Sequence, residues 1–220
     1  MTLPMLIVGA GGHARVLIEA LARSGSTTML GCTANDEPAR ASISVPFLGG
    51  DEVVYQHKPS NVVLVNGIGS ITRPYRRRDI FLRFKRKGYR FVTVTHPEAI
   101  LPLELVLGEG AQLMAGAILQ PECHIGVNAI INTGAVVDHN CRIGAHTHIA
   151  PGAVLSDDVV VGEAAHVGTG ARVIQGIKIG DGSLIAAGAV VVRNVRPGDT
   201  VAGVPASRLP GTDVSGDDFR

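Results

Sequence analysis

From Leu107 to Arg196 an aliphatic residue returns every sixth position without an insertion. The series runs Leu107, Leu113, Leu119, Ile125, Ile131, Val137, Ile143, Ile149, Leu155, Val161, Val167, Val173, Ile179, Ile185 and Val191. Four positions after each stands a small residue, such as Ala111, Ala117, Cys123, Ala129 or Cys141, with Val159, Ile177 and Val195 as the larger exceptions. A helix of period 3.6 cannot keep residues six apart on one face, and a plain strand of period 2 would not single out every third inward residue. The pattern predicts a β-solenoid in which each hexad forms one flat side and a corner. Three sides close one coil, so this stretch predicts five coils stacked about 4.8 Å apart. The aliphatic residue is expected to fill the axis, and the small one to let the chain turn a tight corner.

The N-terminal third carries a different pattern. An apolar strand at Met5 to Val8 leads into Gly9-Ala10-Gly11-Gly12-His13-Ala14 and then a helical run, Val16 to Leu21. Strand, glycine turn and helix start together make a phosphate cradle, because free backbone N–H groups and the helix dipole face an anion. Gly9, Gly11 and Ala14 fit a degenerate dinucleotide fingerprint, which also needs an acid after the second strand. That strand is expected to end at Gly31-Cys32-Thr33, with Asn35 and Asp36 beyond it. A tight turn that only packs helix on sheet is the other reading of these glycines. A third strand, Val62 to Val65, ends in Asn66-Gly67-Ile68-Gly69-Ser70, at the edge where α/β sheets bind ligands. Nine Lys or Arg then lie between Arg73 and Arg90, on a helix whose Ile80, Phe81 and Phe84 share a face. They read as a solvated face, or as one or two phosphate ligands. Tyr89 to Val94 is predicted as the last strand of this domain, and His96-Pro97 as the step into the solenoid. The boundaries are then 1–96 for an α/β Rossmann-like nucleotide-binding domain, 97–209 for the solenoid, and 210–220 for a loose tail.

Composition narrows the classes. A net charge of +1 gives no pull toward nucleic acid, and no stacking platform accompanies the arginines. Aromatics make up 4% against 28 glycines, which suits an aliphatic core with many corners. No apolar run approaches the roughly 18 residues of a membrane span and no signal-peptide pattern opens the chain, so a cytoplasmic protein is expected. Cys123 and Cys141 are 18 apart and should stack as core fillers.

The hexads resemble the hexapeptide-repeat acyltransferases, which implies a left-handed parallel β-helix. Gly11-Gly12-His13, Asn66 to Ser70, His96-Pro97 and the closing Gly203-Val204-Pro205-Ala206 extend the resemblance over nearly the whole chain. They point to the bacterial amino-sugar N-acetyltransferases and sialic-acid-type O-acetyltransferases. The resemblance implies that the first domain holds a nucleotide-linked sugar through Gly11, Gly12, His13, Asn35, Asp36 and Gly67. It implies a homotrimer with an acetyl-CoA groove between adjacent solenoids. Where the family has two aspartates after the second strand, this chain has Asn35 and Asp36.

Histidines carry the expected chemistry. His139 stands in Val137-Asp138-His139-Asn140-Cys141, the context in which the family carries its catalytic histidine. An outward histidine is a plausible base near neutral pH. The family follows it with Glu or Asp, and this chain with Asn140. His148 matches the family's second histidine, on the thioester carbonyl, and His166 follows 18 residues later. Backbone near Asp157, Thr169 and Ala187 is implied for the thioester and pantetheine. Related β-helices bind zinc through histidines five residues apart; that spacing does not occur here, and no metal is expected. The reading is an acetyl-CoA-dependent N-acetyltransferase acting on a nucleotide-linked 4-amino-4,6-dideoxy sugar. Its rivals are O-acetylation of a sialic-acid-like sugar and a non-catalytic trimeric binding module.

Overall fold

The computed structural model of the chain describes residues 3–25, 28–35, 43–70 and 75–209. Strand β1 (Met5–Val8) lies between β2 (Met29–Thr33) and β3 (Val63–Asn66), all parallel. All four residues of β1 are buried, because both faces of the sheet are covered. Met5 and Ile7 meet helix α1 (Gly12–Arg23) through Leu17, Ile18 and Leu21. Leu6 and Val8 face Phe81 and Phe84 of helix α2 (Tyr75–Arg86). This Rossmann-like unit packs on a left-handed parallel β-helix of about six turns.

The solenoid has three faces of two-residue strands, each strand paired with the one 18 residues on, as Val136 with Val154 and His148 with His166. The aliphatic series and the small residues form one continuous core, from Ala111 to Val201. Coil hands on to coil by backbone bonds such as Ile118 N–H to Ala135 O at 2.9 Å and Val136 N–H to Ala153 O at 2.9 Å.

The corners differ from the sequence expectation. The small residue is inside, 0% exposed at Ala111, Ala117, Ala129, Ala135 and Ala153, and does not itself make the turn. The turn is made one position earlier, by a residue in the left-handed region: Gly110, Gly116, Glu122, Asn128, Gly134, Asn140, His146 and Gly152, and on every sixth residue to Gly188. Glycine, or a short polar residue such as asparagine, takes this conformation at least cost.

The repeat is also longer than predicted. Val94–Thr95, here β4, already pairs with Gln112–Leu113, and Thr200–Ala202 closes the far end. The segment Tyr89 to Val94 is therefore not one strand. Phe91 bridges Leu64 beside β3, and three residues later the chain is in the solenoid. Phe91 fits the aromatic cluster under α2, whereas Val94 belongs to the core beneath α1.

One face of the solenoid is covered by the first domain: its outward residues Gln112, Ile130, His148, His166 and Leu184 are all buried. The next face presents Ile118, Val136, Val154, Arg172 and Val190 outward, an aliphatic column broken by one arginine. The third is polar, with His124, Arg142 and Lys178 exposed.

Candidate active site

At the carboxyl ends of β1 and β3 the chain opens a pocket of about 870 Å³. The turn Gly9 to His13 forms one wall, Gly67 to Ser70 a second, and Asn132, Thr133, His148 and Pro151 of the solenoid a third. Its glycines serve two ends. A Cβ on Gly9 would meet Gly67 C at 2.9 Å, and one on Gly67 would meet Ile7 Cγ2 at 2.9 Å, so these two permit close packing of turn, loop and strand. A Cβ on Gly11 would meet nothing within 4 Å, and on Gly12 only the Arg15 guanidinium at 3.7 Å. These two leave the start of α1 open, and no side chain caps it. Open helix-start amides at a pocket wall suit an anion.

Of the other residues expected to hold a nucleotide, Asn35 lines the pocket and Asp36 lies outside the described residues. Asp51 supplies an acid here that the sequence did not single out. It accepts from Thr33 Oγ1 at 2.9 Å and from Arg83 Nη2 at 2.7 Å. His13 is turned away from the sheet and lies 2.7 Å, through Nε2, from Gln112 Oε1. Gln112 also donates to Asn66 O at 2.9 Å, so its oxygen is the acceptor and His13 donates.

His148 is held on both sides. Asn132 fixes its own oxygen on the Thr133 N–H at 2.8 Å and so turns its amide N–H toward His148 Nε2, 3.0 Å away. The proton is then on Nδ1, which lies 2.7 Å from Ser70 Oγ and 3.1 Å from Ser70 O. Burial, with Arg77, His13 and His166 nearby, keeps the ring neutral well below its ordinary pKa. Both ring nitrogens are thus engaged within the chain, by Asn132 and by Ser70, at the pocket lining. These bonds tie Ser70 of the first domain to Asn132 of the solenoid across the pocket.

His166 packs edge-on against His148 with ring centroids 4.9 Å apart, is 5% exposed and is not among the residues lining the pocket. His146 accepts from Asn128 Nδ2 at 2.9 Å and is also buried. Burial lowers His13, His146 and His166 from 6.5 to about 4. The unfolded chain therefore takes up protons near pH 6.5 that the folded chain refuses until about pH 4, and stability falls as pH drops through that window. A thermal midpoint that stays level from pH 7 to pH 4.5 would contradict this.

His139 lies elsewhere. It is exposed, at the corner between the aliphatic and polar faces, and is not among the pocket residues. Asp138 Oδ1 accepts from its backbone N–H at 2.8 Å, and among the described residues no group bonds its imidazole. Asn140 occupies the left-handed corner at φ 61°, which accounts for an asparagine here. Asp157 stacks one coil above His139, as the bond from Asp158 N–H to His139 O at 3.1 Å places it. Thr133 and Pro151 line the pocket on the other edge of the aliphatic face, and Thr169 and Ala187 continue the same 18-residue column, exposed. Asp157 on one side and Thr169 and Ala187 on the other thus fall on two edges of one face. Among the described residues no group of three His, Cys, Asp or Glu side chains is placed to hold a metal ion.

A glycine-lined pocket set against a hexapeptide β-helix defines a class, and comparison with known proteins agrees with it. The chain belongs to the hexapeptide-repeat family of sugar N-acetyltransferases and is an acyltransferase. Residues 4–83 match the PglD N-terminal domain. The perosamine N-acetyltransferase of Caulobacter crescentus, crystallised with CoA and GDP-perosamine, is 38% identical over 94% of this chain and 97% of its own, with a TM-score of 0.86. The acetyltransferase domain of PglB from Neisseria gonorrhoeae, in complex with acetyl coenzyme A, is 32% identical over 94% of this chain and 98% of its own, with a TM-score of 0.85. WeeI from Acinetobacter baumannii, at 24% identity and a TM-score of 0.83, shares the fold. No curated protein sequence matches the chain.

Proposed function

We propose that the protein transfers the acetyl group of acetyl-CoA to the amine of a nucleotide-linked 4-amino-4,6-dideoxy sugar. The observation that carries this is the pocket, where an uncapped helix start suited to a diphosphate meets the solenoid edge Thr133–Pro151. The relative bound to CoA and GDP-perosamine supports the same pairing of ligands. The amine nitrogen attacks the thioester carbon, His139 takes its proton, and the C–S bond breaks to release CoA thiolate, which is then protonated. A backbone N–H of the solenoid edge stabilises the oxyanion. A variant of the Caulobacter enzyme with histidine changed to asparagine has been crystallised with both ligands, which agrees with a histidine of interest in that family.

In one chain His139 is across the aliphatic face from the pocket, so this mechanism requires a second copy. A homotrimer with that face toward its axis sets the His139–Asp157 edge of one chain against the Thr133–Ala187 edge of the next. The half-buried column Ile118, Val136, Val154 and Val190 supports this packing. Acetyl-CoA would then lie between the two edges.

The direct test is release of CoA in the presence of UDP- and GDP-linked 4-amino sugars; acetylation of neither, with sialic acid accepted, would overturn the reading in favour of O-acetylation. Gly12→Val adds bulk to the open cradle, where a Cβ meets only the Arg15 guanidinium at 3.7 Å, an ordinary contact. It should weaken nucleotide-sugar binding by about tenfold or more and leave acetyl-CoA binding nearly intact, as calorimetry would report. Co-expressed Gly12→Val and His139→Ala chains should regain part of the activity that each lacks alone. No recovery in verified mixed trimers would mean that base and pocket come from one chain.

A further inference from the structure

Arg77 heads the largest fully buried side chains among the described residues, at 1% exposure, and has no carboxylate partner there. Main-chain carbonyls hold it. Nη1 donates to Asn66 O at 2.9 Å and Ile68 O at 2.7 Å, and Nε donates to Asn128 O at 3.2 Å. Nη2 is buried without a partner. Burial pulls the guanidinium down to about 9, which leaves it cationic at neutral pH. A buried charge without an anion is among the costliest arrangements a fold can keep, and carbonyl dipoles offset only part of it. Tying a loop in place needs donors and not a charge; an amide would supply them.

Two observations say where the charge acts. The carbonyls that Arg77 takes belong to the loop Asn66 to Ser70, whose residues 67–70 form a wall of the pocket. Arg77 is also linked to the lining through Asn66 O, which accepts from Gln112 Nε2 while Gln112 Oε1 accepts from His13. On the reading that the pocket holds a nucleotide-linked sugar, we infer that Arg77 is a positioning residue whose counter-charge is the ligand's diphosphate. From behind the loop it draws the carbonyls of Asn66 and Ile68 out of the pocket, and it imposes a positive field on the phosphates without contacting them.

The test separates charge from architecture by comparing charged and uncharged ligands. Wild type, Arg77→Met and Arg77→Lys are titrated calorimetrically with UDP and GDP, with uridine and guanosine, and with acetyl-CoA. Arg77→Met should bind the nucleoside diphosphate about tenfold or more weakly, while affinity for the nucleoside and for acetyl-CoA changes little. Arg77→Lys should keep most of the preference for diphosphate over nucleoside, and its KM for the sugar substrate should rise more than its kcat falls. Equal weakening of nucleoside and diphosphate in Arg77→Met would reduce Arg77 to a structural tie and overturn the inference. Should that variant fail to fold, loss of the diphosphate preference in Arg77→Lys would overturn it equally. A wild type that binds no nucleoside diphosphate would instead overturn the site assignment on which the inference rests.

Discussion

His139→Ala lowers kcat by roughly 10²–10⁴, the usual worth of a positioned general base, with little change in KM for acetyl-CoA and none in the melting temperature. The last part follows from exposure: the imidazole is at a corner with no bond to lose among the described residues. A sugar ammonium is not a nucleophile, so a group must take its proton near neutral pH, and histidine is the side chain suited to that. His146 and His148 are buried and hydrogen-bonded within the chain, and burial lowers both imidazoles, which makes each a weaker base than an exposed histidine. Near-normal turnover in His139→Ala would therefore sink His139 as the base. A second arm uses Asn140→Asp, which keeps a residue type that tolerates the left-handed corner. The added carboxylate should raise the imidazole pKa and move the acidic limb of the kcat/KM profile upward. An unmoved limb would mean the two side chains do not face each other.

Ile149→Asp removes the soluble protein. Ile149 is 0% exposed, in register between Ile131 and Val167 on the solenoid axis. An ionised carboxylate there has no partner, and the cost is several kcal/mol, a large share of a domain's stability. The core does accept polar atoms, but only beside a corner carbonyl: Thr147 Oγ1 donates to Gly162 O at 2.6 Å and Ser183 Oγ to Arg196 O at 2.8 Å. The axis positions from Leu107 to Val191 are aliphatic throughout. Ile149→Val should cost only about 0.5–1.5 kcal/mol, and thermal melts of the pair measure the contrast. A soluble Ile149→Asp protein with an unchanged melt would place this side chain outside the core.

The solenoid was legible because every hexad meets the same cross-section, so one rule repeats in the chain. Its corners were less so. The backbone at the turn is constant, yet Gly110, Glu122, Asn128, His146 and Ala164 share only a sign of φ, and the small buried neighbour drew the eye instead. The glycine cradle could be read, being local. Asp51, Ser70 and Asn132 could not, because each gains its meaning from a partner far along the chain, as Ser70 does from His148. Arg77 was hidden among nine cations. Its spacing to Phe81 and Phe84 put it on the buried face, and that signal was available. The neutrality of His148 rests on burial beneath another domain, which no short motif records.

The chain crosses between its two domains without a linker. Phe91 is still bridged to Leu64, and Val94 is already bonded to Ala111 O at 2.9 Å. Lys85 to Glu109 and Gln112 to Asn66 bolt the same seam from either side. Opening the cleft at this seam would have to break those bonds, so its width is expected to be set as the chain folds. Discrimination among sugars is then expected to fall on the fit of a preformed mould.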